Sequence, residues 1–326
     1  MPELKYFNAV REALAEEMGR DGSTVLMGED IGAAGGIYAE TRGLQEEFGS
    51  DRVLDTPAGE LGFMGAAVGC AITGLRPIVE ISFADFFPVC LDQLVNQAAK
   101  VRYMSGGQTS VPMTVFSFGG GGLGAGPQHS GTYEALLGSI PGLKVVTPAT
   151  PGDAKGLLKS AIRDQDPTIV LLHKGLLQTR EEVAEDADMT VPLGSARVVR
   201  EGSQLTILAW SGGVRRALAA AEMLAGDGIE AEVIDLRSVQ PLDLDTVLQS
   251  VRKTHRLLVV QETTGFAGIG SELAILVGAA AFDYLDAPIE RVCPPFTPVP
   301  FSPPMEEFHT PSAEEVVARA KEMVSE

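Results

Sequence analysis

The chain reads as an α/β protein of two three-layer domains, each with a mostly parallel sheet between helices. Short apolar runs alternate with helical patterns twice along the sequence, which is how parallel sheets covered on both faces are written. A charged stretch almost free of large apolar residues separates the two alternations. The length, 326 residues, suits two ordinary domains. The expected boundaries are 1–177 for the first domain, 178–192 for a linker and 193–326 for the second.

Leu4, Phe7, Val10, Leu14 and Met18 recur at helical spacing, with Gly19 as a stop, so the chain is expected to open straight into a helix. Residues 24–28 predict a short buried strand. Residues 62–73 predict a helix of small residues, poor in intrinsic propensity and dependent on packing. A strand at 78–81 and a helix at 91–103 follow, the latter interleaved with Gln93, Asn96, Gln97 and Lys100. Strands are expected at 112–118, 144–147 and 168–172, with a helix at 152–163. The run TREEVAEDAD marks the linker. In the second domain, strands are expected at 205–210, 231–236, 257–261 and 289–292. Helices are expected at 214–225, 242–251, 269–282 and 313–323. The run CPPFTPVPFSPP is too rich in proline for either element and predicts an extended path.

Hydrophobic residues make up 45% and charged residues 21%, a globular balance. The formal net charge of -19 argues against nucleic acid and anionic membrane as partners, because phosphates would be repelled. Cys70, Cys90 and Cys293 are odd in number and far apart, with no disulfide framework or zinc spacing. A reducing cytoplasm is the expected location. The first residues carry no basic and apolar leader, and no apolar run is long enough to span a bilayer.

Three stretches could carry chemistry. In DTPAGELGFMGAAVGC, Glu60 is a lone carboxylate opening a run of small and apolar residues. Such a group is expected to be shielded from water and to seek one strong hydrogen-bond partner. Gly62, Gly65, Ala66, Ala67, Gly69 and Ala71 leave room for a flat ligand or another backbone. A packed core helix, with Glu60 in the first turn where the dipole favours an anion, explains the same residues. In SFADFF, Phe86 belongs to an aromatic triplet that would otherwise be core. The third stretch runs from Gly119 to Gly126 and contains a formal GxGxxG. A dinucleotide site needs a helix to begin there and an acid about twenty residues on. Pro127-Gln128-His129-Ser130 comes instead, and no Lys-Ser or Lys-Thr follows for a P-loop. Either the glycines make a tight turn, or they allow a backbone path that pushes His129 into a cleft. Imidazole exchanges protons near neutrality, so a histidine there can bind or transfer one.

Together these stretches resemble the beta subunit of the thiamine-diphosphate-dependent decarboxylating component of 2-oxo acid dehydrogenase complexes. The likeness runs through GEDIG, DTPAGE, the His129-Ser130 loop, PGLKVV, DAKGLLKSAIRD, EAEVIDLRSVQPLD and TPVPFSPP, nearly the whole length. It implies a thiamine-diphosphate pyrimidine-binding domain followed by a transketolase C-terminal-like domain. By the resemblance, Glu60 hydrogen-bonds the aminopyrimidine of the cofactor, Phe86 stacks on it, and Glu29 of GEDIG joins the cofactor-binding residues. His129 is implied near the reacting carbon, serving substrate binding or proton transfer. The resemblance also suggests a structural potassium ion at Ala161, Asp164 and Asp166, where a plain helix-to-strand turn is the alternative. The diphosphate and its magnesium are implied to belong to an alpha subunit. The only Gly-Asp-Gly here, Gly226-Asp227-Gly228, lies in the second domain, and Asn8 and Asn96 are both upstream.

The expected activity is therefore decarboxylation of a small 2-oxo acid and reductive acylation of a lipoyl carrier. The expected partners are an alpha subunit, in an alpha2beta2 heterotetramer, and a lipoyl-bearing acyltransferase. Acetoin cleavage or a secondary-metabolite thiamine enzyme shares the same architecture, and a non-catalytic scaffold subunit is the alternative of another class. Two departures from the family pattern leave the acyl group open. Leu176-Leu177-Gln178-Thr179 stands where Lys-x-Leu-Tyr is common, and Ser130-Gly131 replaces Ser-Gln.

Overall fold

The computed structural model describes residues 3–184 and 186–325. They form two compact units. One comprises Met1–Gly119 and Leu136–Leu193, the other Gly120–Ala135 and Gly194–Glu326. The glycine-rich segment thus clusters with the second unit although the sequence inserts it in the first.

The first unit contains β1 (Glu3–Lys5), β2 (Thr24–Gly28), β3 (Val53–Asp55), β4 (Arg76–Phe83), β5 (Thr114–Gly119), β6 (Lys144–Val146), β7 (Thr168–His173) and β8 (Arg180–Glu182). Six of these lie side by side in the order β6-β7-β5-β4-β2-β3, every neighbouring pair parallel. All residues of β2, β5 and β7 are buried, as expected for strands covered on both faces. Helix Tyr6–Arg20 packs on helix Pro151–Arg163 through Val10, Leu14, Met18, Leu157, Leu158 and Ile162. Charge joins the same two helices. Lys155, 3% exposed, reaches Glu12 at 3.1 Å and Glu16 at 2.8 Å. Lys159, fully buried, reaches Glu16 at 2.6 Å, and Arg163 holds Glu17 at 2.6 Å. In each pair one partner is buried and the other part-exposed, so removing the part-exposed member leaves a buried charge with less compensation, which destabilises the fold.

The chain does not open straight into a helix. Residues 3–5 form β1, paired antiparallel with β8, and the helix starts at Tyr6. Part of the charged stretch is therefore held by ladder hydrogen bonds and by an Arg180–Glu3 ion pair at 2.7 Å. The helix expected at 91–103 begins earlier, at Phe87, with a proline in its first turn. It has one wider turn at Gln93–Ala98 before Ala99–Met104.

The second unit holds β9 (Arg197–Arg200), β10 (Leu205–Ala209), β11 (Ala231–Asp235), the short β12 (Ser238–Gln240), β13 (Leu257–Val260) and β14 (Glu290–Val292). Five of them form a sheet in the order β14-β13-β10-β11-β9, with only β9 antiparallel. Helices Gly213–Gly226, Leu244–Thr254, Ile269–Ala281 and Ala313–Ser325 alternate with or follow these strands. The proline run is not extended to its end. Its last two residues open helix Pro303–His309 behind Ser302. Proline is tolerated there because first-turn N–H groups have no intrahelical acceptor. Gly226-Asp227-Gly228 is a helix end: Gly228 takes φ 81°, and Asp227 pairs with Lys321 at 2.7 Å.

Gly142, in PGLKVV, has φ 99°, and a Cβ there would run into the Ala99 carbonyl oxygen. Gly142→Ala is expected to cost about 2–4 kcal/mol of stability. An unchanged urea midpoint would contradict the close approach.

Candidate active site

In the first unit every strand of the six-stranded sheet points the same way, so the loops after the carboxyl ends line one edge. Glu29 follows β2 directly. Glu60 comes five residues after β3 and Phe86 three residues after β4. Because β2 lies between β3 and β4, these residues occupy adjacent loops.

Hydrogen bonds lace the loops together. The Glu29 carboxylate accepts from the Gly59 N–H at 3.1 Å, fixing the residue just before helix Glu60–Ile72. Asp55 accepts from the N–H groups of Gly32 at 2.6 Å and Ala33 at 3.3 Å, and the Thr56 N–H donates to the Gly28 carbonyl at 2.9 Å. Asp55 and Thr56 therefore shape the loops, and the carboxylate left at the helix start is Glu60.

Glu60 sits in the first turn, where the helix dipole favours its charge. In the single chain it is half-buried rather than shielded. Its charge is felt by the buried Cys90 thiol, which burial and then Glu60 push up to about 12. The helix offers open surface: a Cβ at Gly62 or Gly69 would meet nothing within 4 Å. Phe86 is half-buried and meets Phe83 edge to face, centroids 5.9 Å apart. Lys174 Nζ lies 5.7 Å from the Phe83 ring centre. A part-exposed carboxylate, a part-exposed aromatic ring and side-chain-free helix surface fit a flat heterocycle bearing ring nitrogens.

His129 lies in the other unit, on Gly120–Ala135. Gly120, Gly122, Gly124 and Gly126 all take left-handed φ, and no helix begins until Glu134, which removes the dinucleotide reading. The loop closes on itself through the Gly120 N–H to the Gly131 carbonyl at 3.2 Å. His129 is half-buried, and its N–H donates to the Gly126 carbonyl at 3.3 Å.

At the loop suggested for potassium, the Ala161 carbonyl accepts from the Asp164 N–H at 3.2 Å. Asp164 accepts from Lys144 at 2.7 Å, and Asp166 pairs with Arg102 and lies 3.5 Å from Lys144. A potassium ion would have to share these oxygens with both cations. Among the described residues, no group of three or more His, Cys, Asp or Glu is placed to hold a metal.

Sequence reasoning missed two buried acids of the first unit. Glu80 on β4 is 1% exposed, and its Oε1 has no partner. Burial raises its carboxyl well above the ordinary 4.5, and the charges of Glu40, Glu29 and Asp30 add to this. Glu40 is fully buried and likewise raised by burial, although the Tyr38 N–H donates to it at 2.7 Å. A single acid inside the apolar run RPIVEISF was the available signal for Glu80.

Residues 2–180 match the transketolase pyrimidine-binding domain family, and residues 194–316 match the transketolase C-terminal domain family. The chain is 47% identical over 323 residues, 96% of this chain and 95% of the relative, to the beta subunit of acetoin:2,6-dichlorophenolindophenol oxidoreductase of Cupriavidus necator. It is 45% identical over 315 residues, 97% and 96% of the two chains, to the pyruvate dehydrogenase E1 beta subunit of Rickettsia felis. It is 41% identical over 325 residues, 99% of each, to the 2-oxoisovalerate dehydrogenase beta subunit of Bacillus subtilis. Among solved structures, a split-gene transketolase described as an inactive beta4 tetramer superposes with a TM-score of 0.77 over 98% of this chain and 97% of its own. At 23% identity that likeness concerns the fold.

Glu80 supplies a test of the electrostatics at this edge. The folded state binds the Glu80 proton more tightly than the unfolded chain does. Stability attributable to this group therefore falls as pH rises from the unfolded value through the folded one. Glu80→Gln removes that deficit. The variant should melt above wild type near about pH 8, with the gap closing toward about pH 4. Equal melting temperatures at both pH values would contradict the assignment.

Proposed function

We infer the function from one premise: the chain belongs to the transketolase-like family, with a pyrimidine-binding domain followed by a transketolase C-terminal domain. We read it as the beta subunit of a thiamine-diphosphate-dependent 2-oxo acid dehydrogenase. Relatives 41–47% identical over nearly the full length support that reading. The observation that carries it to the residues is Glu60 in the first turn of its helix, on the loop next to Glu29 and, one strand further, Phe86.

Thiamine diphosphate, when bound, would supply a nucleophilic carbon for chemistry at the substrate's oxo group. Glu60 Oε accepts or returns a proton at a ring nitrogen, and it does so more effectively where the partner excludes water. Phe86 would pack against the ring, an effect of about 0.5–1.5 kcal/mol beyond burial. Glu29 keeps Gly59, and with it the first turn, in register. We assign to His129 a proton held at its imidazole near the acyl oxygen. In the net reaction the oxo acid loses carbon dioxide, its acyl carbon is oxidised, and a lipoyl disulfide is reduced to acyl-thioester and thiol.

An alpha subunit completes the proposal, in an alpha2beta2 assembly that supplies magnesium and the diphosphate site. Gly226-Asp227-Gly228 does not serve that purpose, since Asp227 ends a helix and pairs with Lys321. A lipoyl-bearing acyltransferase takes the acyl group. No step depends on a cation at Ala161, Asp164 and Asp166. No described helix is long and apolar enough to cross a membrane. The three cysteines are unpaired, which supports a reducing cytoplasm as the place of action. Acetoin is a second substrate to test, because the relative at 47% identity is named for it.

Glu60→Gln should assemble with the alpha subunit and lose about 3–4 kcal/mol of transition-state stabilisation, roughly a hundred- to thousandfold in turnover. Steady-state assays across pyruvate, branched 2-oxo acids and acetoin would read this. Full turnover on every substrate would reject the role of Glu60.

A further inference from the structure

The glycine-rich loop carries His129 on a backbone with little stiffness of its own. Its four left-handed glycines are permissive, so the loop holds one path only where something outside it takes hold. Two buried carboxylates make that hold within the second unit, one on each side of His129: Glu306 from outside the loop, and Glu134, at the loop's end, on Trp210 and Thr263.

On the near side, Glu306 Oε2 accepts from the Gly124 N–H at 2.8 Å. Glu306 is the fourth residue of helix Pro303–His309 and is 4% exposed. Its other oxygen, Oε1, is buried without a partner and lies 3.2 Å from where a Gly121 Cβ would stand. The segment ahead of that helix backs the contact: a Cβ at Gly126 would come within 2.9 Å of the Phe301 ring. On the far side, Glu134 is also 4% exposed. It accepts from Trp210 Nε1 at 3.1 Å and from the Thr263 hydroxyl, and Thr263 lies 3.3 Å from Thr132. Neither acid has a cation among these partners. A buried carboxylate without a counter-charge costs stability, and an apolar residue would pack more cheaply. What a carboxylate offers here is a strong, directed acceptor for a backbone N–H and for two side-chain donors.

We propose that Glu306 and Glu134 are positioning residues that clamp the loop Gly120–Ala135 on either side and thereby set the place of His129. The proposal rests on the reading of His129 as a working residue of the reaction. Gly124, the residue that Glu306 holds, lies five residues before the histidine and Glu134 five residues after it, so a slip at either anchor carries through to the imidazole. Gly124 is held through charge, Thr132 through Thr263, and His129 lies between them.

The first measurement is hydrogen exchange on the full chain. In Glu306→Ala, amides across 120–131 should exchange at least about tenfold faster, with those of β10 unchanged. Glu306→Gln should restore most of the protection, because a carboxamide oxygen accepts the same N–H. Wild-type exchange across 120–131 in Glu306→Ala overturns the clamp. If that variant fails to fold, Thr263→Val, which removes only a hydroxyl, is read the same way on residues 129–135. The second measurement is steady-state kinetics with the assembled enzyme. Glu306→Ala should lower kcat at unchanged KM, and adding it to His129→Ala should lower turnover no further. Losses that simply multiply would overturn action through His129. Full turnover in His129→Ala alone would instead overturn the reading of the histidine, and the exchange result would then decide the clamp by itself.

Discussion

The direction of the strands in the first sheet is the constraint on which its site depends. Parallel pairing places every carboxyl end at one edge, so residues far apart in sequence arrive on neighbouring loops. Glu29, Glu60 and Phe86 are brought onto neighbouring loops by the order β4-β2-β3 and by nothing local to any of them. The loops then need stiffness, and backbone N–H groups bonded to carboxylates supply it. Glu29 holds Gly59, and Asp55 holds Gly32 and Ala33. A hydrogen bond to a charged group contributes about 1.5–3 kcal/mol. Here the bonds fix where a helix begins, and the helix start fixes Glu60.

Charge is distributed unevenly in this protein, and the pattern separates scaffold from site. Between helices Tyr6–Arg20 and Pro151–Arg163, buried lysines meet glutamates at short range. Burial opposes the charge on Glu16, but the hydrogen bonds and the positive charges of Lys155 and Lys159 together hold its carboxyl below the usual range. Near the carboxyl edge of the sheet the compensation stops. Burial raises both Glu80 and Glu40, and the donors that meet them are neutral, the Ser82 hydroxyl and the Tyr38 N–H. Departures from full pairing are expected where function sets the residue and the scaffold carries the strain. The second unit repeats the contrast: Glu232 pairs with Lys253, whereas Glu134 is held by neutral donors.

The elements that local pattern made legible are those whose burial is continuous. The strands at 24–28, 168–173, 205–209 and 231–235 are apolar runs with breakers on both sides, and they sit within a residue or so of expectation. The elements that were missed depend on distant partners. β1 and β8 are three residues each, and each is a strand only because the other is there. β9 pairs antiparallel at a sheet edge and carries arginines that its environment leaves half-buried. The helix at Pro303 hides in a proline run because its first turn needs no donors.

The sequence by itself determined the alternation of strand and helix, the two-part organisation, the family, and which side chains could do chemistry, because apolar period and motif spacing are local. It also contained the departures at Leu177, Gln178 and Gly131. Only the tertiary structure decided that the segment bearing His129 clusters with the second unit, that Gly59 is held by Glu29, and that Glu306 reaches back 182 positions to Gly124. The physical reason is that burial and hydrogen bonding act through space. A glutamate on a strand or helix reads the same in the chain whether it ends in water or against a glycine, and the partner that distinguishes the two lies elsewhere in the sequence.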